Sequence, residues 1–92
     1  MTLRQMRKAV SEGTWVLEPV EEIPAPTPFQ QRRLNEAVNL ARLYLNKGVK
    51  VGDLGKVMGV TPERVAQMVR LGISVMRQLG CLRPSADETT SS

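Results

Sequence analysis

One stretch of twenty residues, from Val51 to Arg70, constrains the fold of this chain more than any other part of it. The stretch reads VGDLGKVMGVTPERVAQMVR, and its apolar residues are spaced 4, 2, 5 and 3 positions apart. Two short helices that cross at a tight turn would bring all of these side chains into one shared core. The apolar residues concerned are Leu54, Met58, Val60, Val65 and Met68.

The residues between the two predicted helices have the properties that such a turn requires. Gly55 is small where the second helix must cross the first, and Gly59 can enter the left-handed region at no steric cost. Thr61 then supplies a hydroxyl cap, Pro62 fits the first position of a helix, and Glu63 places a carboxylate in its first turn. These features predict a helix-turn-helix of the DNA-binding type.

The outward side of the second helix carries polar side chains that can reach base edges in a major groove. Arginine pairs with guanine and glutamine with adenine through two hydrogen bonds, and glutamate can accept one from cytosine. The predicted base contacts are Glu63, Arg64, Gln67 and Arg70. The predicted phosphate contacts are Lys50, Lys56 and Thr61, of which the threonine is first of all a helix cap. The alternative is that the whole set forms the solvated surface of a core helix.

Positive charge is concentrated around this stretch. The net charge is +4 over 92 residues. Residues 27–83 hold ten basic and three acidic side chains, a net charge of +7, whereas residues 1–26 carry −1 and residues 84–92 carry −2. Binding to the phosphates of double-stranded DNA accounts for this asymmetry, because a helical domain that only has to be soluble does not need it.

The same stretch resembles a known family of DNA-binding proteins. The run GVTPERVAQM is similar to the helix that reads the upstream promoter element in the C-terminal region of bacterial primary sigma factors, and the motif resembles that of small phage and plasmid repressors. Pro62 and Ala66 stand where the sigma factors usually carry arginines that contact DNA. The resemblance is close only around this run and extends from Leu34 to Leu79. It implies the fold and the docking of the second helix, but not the promoter specificity. The matching positions are Gly59, Val60, Thr61, Glu63, Arg64, Val65 and Gln67.

The residues before this domain form a different kind of segment. Residues 2–5 are a capping-box pattern, which predicts a short helix from Leu3 to Glu12. Residues 14–17 are β-prone and predict one short edge strand, a strand that pairs in a dimer, or an extended arm on the helices. Trp15 is expected to pack on a core or a partner rather than to stack on a base. The segment from Glu18 to Pro28 contains four prolines and predicts a semi-stiff connector without a helix.

Two longer helices complete the expected fold. Thr27 and Pro28 open a helix that ends near Lys47, and its wide apolar face predicts cover on two sides, by the N-terminal arm or by another subunit. The second helix of the motif is expected to cover residues 62–79, with Gly72 allowing the close approach of another helix. The fold class is thus all-α: a helix-turn-helix domain of three or four helices with an extended N-terminal arm. The expected divisions are 1–26 for the arm and linker, 27–83 for the DNA-binding domain and 84–92 for a disordered polar tail.

The sequence lacks the residues that many catalytic and metal sites need. It contains no histidine and one cysteine, Cys81, which excludes a zinc site with the usual nitrogen and sulfur ligands and also a Ser-His-Asp or Cys-His arrangement. We expect no enzymatic activity, no metal and no cofactor. The single cysteine, the polar N-terminus and the absence of an apolar run of membrane-spanning length predict the cytoplasm, either of a bacterium or of the host cell of a phage.

These observations predict a small sequence-specific transcriptional regulator of bacterial, plasmid or phage type. One module of this size usually binds DNA weakly, so a homodimer is expected, joined through Leu3–Leu17 or through Ile73–Leu79. Repression by occupying a promoter is the expected effect. Two alternatives stay open. One is a sigma-like module that binds RNA polymerase or another regulatory protein through Glu18–Pro28, and the other is a phage DNA-packaging or replication accessory with little sequence preference.

Overall fold

The protein is mostly helical, with one short antiparallel sheet. The structure is a computed structural model, and it describes residues 2–85 of the chain. The predicted helices α1, α2 and α4 agree with the structure to within one residue at each end, and their predominance is compatible with a small all-α domain. In chain order the elements of the described residues are α1 (Leu3–Glu12), β1 (Trp15–Leu17), α2 (Pro28–Lys47), α3 (Val51–Met58), α4 (Pro62–Gln78) and β2 (Leu82–Pro84).

Three of these helices begin at a threonine whose hydroxyl caps the first turn. The Thr27 hydroxyl accepts a hydrogen bond from the backbone amide of Gln30 at 3.1 Å. The Thr61 hydroxyl accepts one from the backbone amide of Arg64 at 3.3 Å. The reciprocal capping box predicted for residues 2–5 is present at the start of α1. Because the loss of such a cap typically costs about 1 kcal/mol, these bonds help to determine where each helix starts.

The core is centred on the crossing of α2 and α4. A Cβ atom on Gly72 of α4 would overlap the backbone carbonyl oxygen of Ala37 and would lie 2.9 Å from the Cβ of Ala41. The prediction that Gly72 permits the close approach of another helix is therefore confirmed. The largest fully buried side chains of the described chain are Met76, Leu82, Val65 and Val69.

Helices α3 and α4 are joined by the short connection Gly59–Thr61. Gly59 has a φ of +73°, in the left-handed region, as predicted. A Cβ atom on Gly55 would lie 2.7 Å from the backbone carbonyl oxygen of Val60, so the connection lies against α3 where a larger residue would not fit. The five apolar residues of the predicted spacing all contribute to the core: Leu54 and Val65 are buried, and Met58, Val60 and Met68 are partly buried.

The strand predicted near Trp15 is present, but it has a partner within the chain. Strand β1 pairs with β2 in an antiparallel register that sets Trp15 opposite Pro84 and Leu17 opposite Leu82. The expectation of at most one strand is therefore wrong, and the N-terminal arm is held to the segment that follows α4.

The prediction of a disordered tail that begins at residue 84 is also wrong at its start. Pro84 belongs to β2, and the backbone amide of Ser85 donates to the carbonyl oxygen of Thr14 at 2.9 Å. The physical reason lies in contacts between distant parts of the chain. Hydrogen bonds to β1 and the buried side chain of Leu82 order the start of a segment whose composition is that of a tail. Residues 86–92 of the predicted tail lie outside the described residues.

The N-terminal segment packs on the helices. Met6 and Ala9 of α1 are buried, and α1 contacts α2, so the second side of α2 is covered by the N-terminal arm, one of the two predicted options. In the proline-rich segment Ile23 is only 3% exposed, and its carbonyl oxygen accepts a hydrogen bond from Nε2 of Gln31 at 3.3 Å. This segment has no helix or strand, as predicted, but Ile23 makes it part of the core.

Trp15 has the packing role that the sequence predicts. Its side chain is half-buried against the core, and the guanidinium of Arg77 lies 5.2 Å from the centroid of its ring. A cation at this distance over an aromatic face is attracted by the ring quadrupole. The sequence around Trp15 contains no nearby basic residue, so the contact with Arg77 of α4 could not be expected from it.

Candidate nucleic-acid interface

The first two turns of α4 present a polar surface to solvent. Only one side chain in these turns is fully buried, and most of the others are polar and exposed. Val65 faces the core and is fully buried, whereas Glu63, Arg64 and Gln67 are exposed. Arg70, one turn further along the helix, is exposed as well. The four predicted base-contact residues therefore all lie on the solvent side of α4.

These four side chains do not all line the same concave surface. Arg64 and Gln67 line a groove between α4 and α2. Arg70 instead lines a separate depression on α4, together with Ser74 and Arg77. The predicted base contacts thus begin in one groove and continue over the outer surface of α4 to a second depression nearer its C-terminus.

The three predicted phosphate contacts lie at the two ends of α3 and at the start of α4. Lys50 is the N-cap residue of α3, and Lys56 lies in its last turn; both are exposed. The Thr61 hydroxyl already accepts a hydrogen bond from the amide of Arg64. A hydroxyl that accepts one bond can still donate its own proton, so Thr61 keeps the ability to contact a phosphate oxygen.

We call the concave surface between α2 and α4 the α2–α4 groove. It has a volume of about 400 Å³. Phe29, at its edge, is 74% exposed, which is a high value for a large aromatic side chain. The residues that line the groove are Phe29, Arg33, Glu36 and Ala37 from α2, and Arg64, Gln67, Met68 and Leu71 from α4.

The predicted base and phosphate contacts do not include Phe29 or Glu36, and the sequence indicates for Arg33 only that the basic start of α2 could touch backbone phosphate or be solvated. A local signal for part of this set exists, because Phe29, Arg33 and Ala37 are spaced four apart and therefore share one side of α2. This spacing does not indicate which part of the molecule that side of α2 faces. Only the crossing at Gly72 brings it next to Arg64.

Three arginines on α2 and α4 have no acidic partner among the described residues. No ion pair or side-chain hydrogen bond engages Arg33, Arg64 or Arg70 within residues 2–85. By contrast, Arg83 beyond the end of α4 forms an ion pair with Glu18, with 2.6 Å between Nη1 and Oε1. A guanidinium without a partner keeps all five of its donors available to an anion.

Residues 2–85 contain neither a metal-binding cluster nor a membrane-spanning helix. Within residues 2–85, no three side chains of the types His, Cys, Asp and Glu lie together in a way that could hold a metal ion. None of the helices in this part of the chain is both long and apolar enough to cross a membrane. Cys81 is a half-buried free thiol whose Sγ lies 3.8 Å from the carbonyl oxygen of Pro19.

No protein-family model, no curated protein and no solved structure matches this chain. The resemblance of residues 59–68 to the sigma-factor helix therefore stays a prediction. Any function has to be argued from the residues and the geometry described above.

Proposed function

We propose that the protein is a sequence-specific, DNA-binding transcriptional regulator that inserts α4 into the major groove as a homodimer. The observation that carries the proposal is the exposed polar surface of the first two turns of α4, directly after a connection that lies against α3. This arrangement supports a helix-turn-helix as the basis of the proposal. An α-helix with its side chains is about 10–12 Å wide and a major groove about 12 Å wide, so α4 would fill the groove.

The exposed side chains of α4 have suitable chemistry for reading bases. Arg64 can donate two hydrogen bonds to guanine, and Gln67 can pair with adenine through its amide. Glu63 can accept a bond from cytosine, and Arg70 can reach a base or a phosphate further along the groove. Lys50 and Lys56 lie outside α4, so they can contact phosphates beside the major groove that α4 would occupy.

The homodimer part of the proposal follows from affinity. A single small module buries only about 600–1,000 Å² of protein surface on DNA, whereas two modules on two half-sites bind far more tightly. Both predicted dimer surfaces contain apolar side chains that are already buried within the chain, Ile73 and Met76 in Ile73–Leu79 and Met6 and Ala9 in Leu3–Leu17. Leu79, at 37% exposure, is the apolar side chain that Ile73–Leu79 offers to a partner, and both surfaces stay candidates. Repression by occupying a promoter is the proposed effect.

The protein-binding alternative has less support. It assigns the docking of RNA polymerase or another regulator to Glu18–Pro28. In that segment Ile23 is buried in the core, which leaves Glu21 and Glu22 as exposed charges but removes the large apolar side chain from the surface. The other alternative, a packaging or replication accessory, differs from the proposal only in sequence preference, so the same experiment addresses it.

The test is to select DNA fragments that the full-length protein binds, and then to measure affinity at two salt concentrations for the wild type, Arg64→Ala and Gln67→Ala. We expect a palindromic motif, and each substitution should cost about 1–3 kcal/mol of binding free energy on that motif but little on random sequence. Matched controls are Arg4→Ala and Asn46→Ala, which remove an exposed guanidinium and an exposed amide from other helices. Weak, unselective binding that neither substitution changes would refute the proposal.

A further inference from the structure

Helices α2 and α4 are in close contact at one place and leave a groove on one side of it. The close contact is at Gly72, where the backbone of Ala37 leaves no space for a Cβ atom. The side chains that line the α2–α4 groove all precede Gly72 in α4, and those from α2 precede or include Ala37. The groove therefore opens toward the N-terminal ends of both helices, which is also where the predicted base contacts Arg64 and Gln67 lie.

The lining of the groove combines two kinds of chemistry. Its inner part is apolar, with Ala37 fully buried and Met68 and Leu71 half-buried. Each helix also contributes one exposed arginine, Arg33 from α2 and Arg64 from α4, and neither guanidinium has a partner within residues 2–85. A ligand for this groove would carry negative charge beside an apolar or weakly polar surface.

We propose that the α2–α4 groove binds the sugar–phosphate backbone of the DNA strand that borders the major groove occupied by α4. This inference rests on the proposed function. The axes of packed helices lie about 8–10 Å apart. If α4 fills the major groove, α2 therefore lies over the DNA strand that borders this groove. Arg33 pairs with a phosphate oxygen there, and Phe29 packs on the adjacent deoxyribose.

Charge complementarity favours a phosphate backbone over a peptide as the occupant. The apolar lining would also accept an apolar side chain of a protein partner. However, Arg64 and Gln67 belong both to the groove and to the exposed surface of α4, so a ligand that lies continuously along both surfaces satisfies more of the unpaired donors. A DNA duplex has that continuity, because its phosphates border the bases that α4 would read.

Glu36 provides a test in which a substitution is expected to strengthen the binding of DNA. Its carboxylate lines the same groove as the two arginines. A phosphate bound there would be repelled by it, so removing its charge should tighten the binding of DNA rather than weaken it. A role in folding alone would not produce this gain.

The experiment measures the affinity of the full-length protein for two duplexes, the selected motif and a random sequence of equal length, over a range of salt concentrations. Arg33→Ala should weaken binding to both duplexes by the same factor, roughly 5-fold at low salt, the size expected for one exposed charge contact. It should also lower the log–log dependence on salt by about 0.9, the value for one phosphate. Phe29→Ala should weaken binding without changing that dependence, and Glu36→Gln should strengthen it.

Each variant has a matched control on a surface away from the groove. Arg4→Ala removes an exposed arginine from α1, Leu43→Ala removes an exposed apolar side chain from α2, and Glu12→Gln removes an exposed carboxylate from α1. Thermal unfolding of every variant shows whether its fold is intact, as expected for substitutions of exposed side chains.

The outcomes separate this inference from the function on which it rests. If Arg64→Ala abolishes preference for the motif but the Arg33 and Glu36 variants bind DNA like the wild type, the groove is not a backbone site and is left to a protein partner, while the reading role of α4 stands. If the wild-type protein binds neither duplex, the proposed function itself fails. Uniform weakening by Arg33→Ala together with tightening by Glu36→Gln supports the inference.

Discussion

The two halves of α4 have opposite surroundings. In residues 62–68, Val65 is the only fully buried side chain, and most of the others face solvent. In residues 69–78, Gly72 touches the backbone of α2, Met76 is fully buried, and Arg77 lies over the ring of Trp15. The half that carries three of the four proposed base contacts, Glu63, Arg64 and Gln67, is thus the less buried one, and Arg70 lies at the start of the other half.

This difference would allow one helix to serve both folding and the proposed recognition of DNA. The C-terminal half is held by tertiary contacts on several sides, and β2, which follows it, is paired with β1. The N-terminal half is held by the buried Val65, by the cap at Thr61 and by the close packing of the connection against Gly55. Polar side chains can stay exposed there, because the other half already fixes the position of the helix.

The largest effect that we predict is at the crossing in the C-terminal half. Gly72→Ala would place a methyl group onto the backbone of Ala37, which cannot move without shifting α2. Alanine is about 1 kcal/mol better than glycine in a helix interior, yet we expect a net loss of about 1–3 kcal/mol in the free energy of unfolding, as for other overpacked sites. Urea unfolding followed by circular dichroism measures this quantity.

Gly52→Ala is the matched control for that substitution. Gly52 also lies in a helix, α3, but a Cβ atom there would meet nothing within 4 Å. The control should leave the free energy of unfolding unchanged or raise it slightly, because only the helix propensity changes. Equal stability of the Gly72 variant and the wild type would show that the crossing is looser than described, and the contrast between the two halves of α4 would disappear.

The sequence was sufficient to predict the helices, because their signals are local. The threonine caps, the prolines at the first helical position and the glycines at the ends all act within one or two turns, and the structure has the predicted α1, α2 and α4. The exposure of Arg64 and Gln67 follows in the same way from the spacing of the buried Val65 and Val69 on α4. Local patterns were thus enough to predict the helices and the solvent side of α4.

The contacts between distant segments could not be predicted from the sequence. The sequence predicts a disordered polar tail from Pro84 onward, whereas the pairing of β2 with β1 joins residues that are far apart in the chain. The α2–α4 groove has the same origin, since Phe29 and Arg64 belong to separate helices and meet only through the crossing at Gly72. Each of these features depends on tertiary packing, for which a single sequence carries no direct signal.

The second prediction concerns the cap at the start of the N-terminal half. Thr61→Ala removes the hydroxyl that accepts the amide of Arg64, and such losses cost about 1 kcal/mol. The first turn of α4 should then open more often, so hydrogen exchange at the Arg64 amide should accelerate. Exchange at Met76, in the C-terminal half, should change only by the global loss of stability. Nuclear magnetic resonance exchange rates for the two amides measure the difference.

Thr27→Ala serves as the comparison, because it removes an equivalent cap from α2. It should lower the global stability by a similar amount without a specific acceleration at Arg64. If Thr61→Ala and Thr27→Ala change exchange at Arg64 equally, the cap does not control the first turn of α4, and the N-terminal half is held by contacts other than those described.

The smallest predicted effect lies beyond the C-terminal half, at the ion pair between Glu18 and Arg83. The hydrogen bond from the Arg83 guanidinium and its charge lower the pKa of the Glu18 carboxyl below its ordinary value of 4.5. A carboxyl whose pKa is lower in the folded state stabilises the fold above its unfolded pKa, and this contribution is lost as the pH falls through the folded pKa. The two side chains are about half exposed, so the contribution should be slight.

Glu18→Gln tests this sign, because glutamine can still accept a hydrogen bond from Arg83 but carries no charge. Unfolding free energies of the two proteins should differ slightly at pH 7, with the wild type more stable. The difference should vanish in acid below the folded pKa of Glu18, where the carboxyl is neutral in both the folded and the unfolded chain. A difference that persists unchanged in acid would mean that shape or hydrogen bonding, and not charge, is what Glu18 contributes to the pairing of β1 with β2. In either case the effect should stay below that of Gly72→Ala, because the C-terminal half of α4 is held mainly by buried contacts.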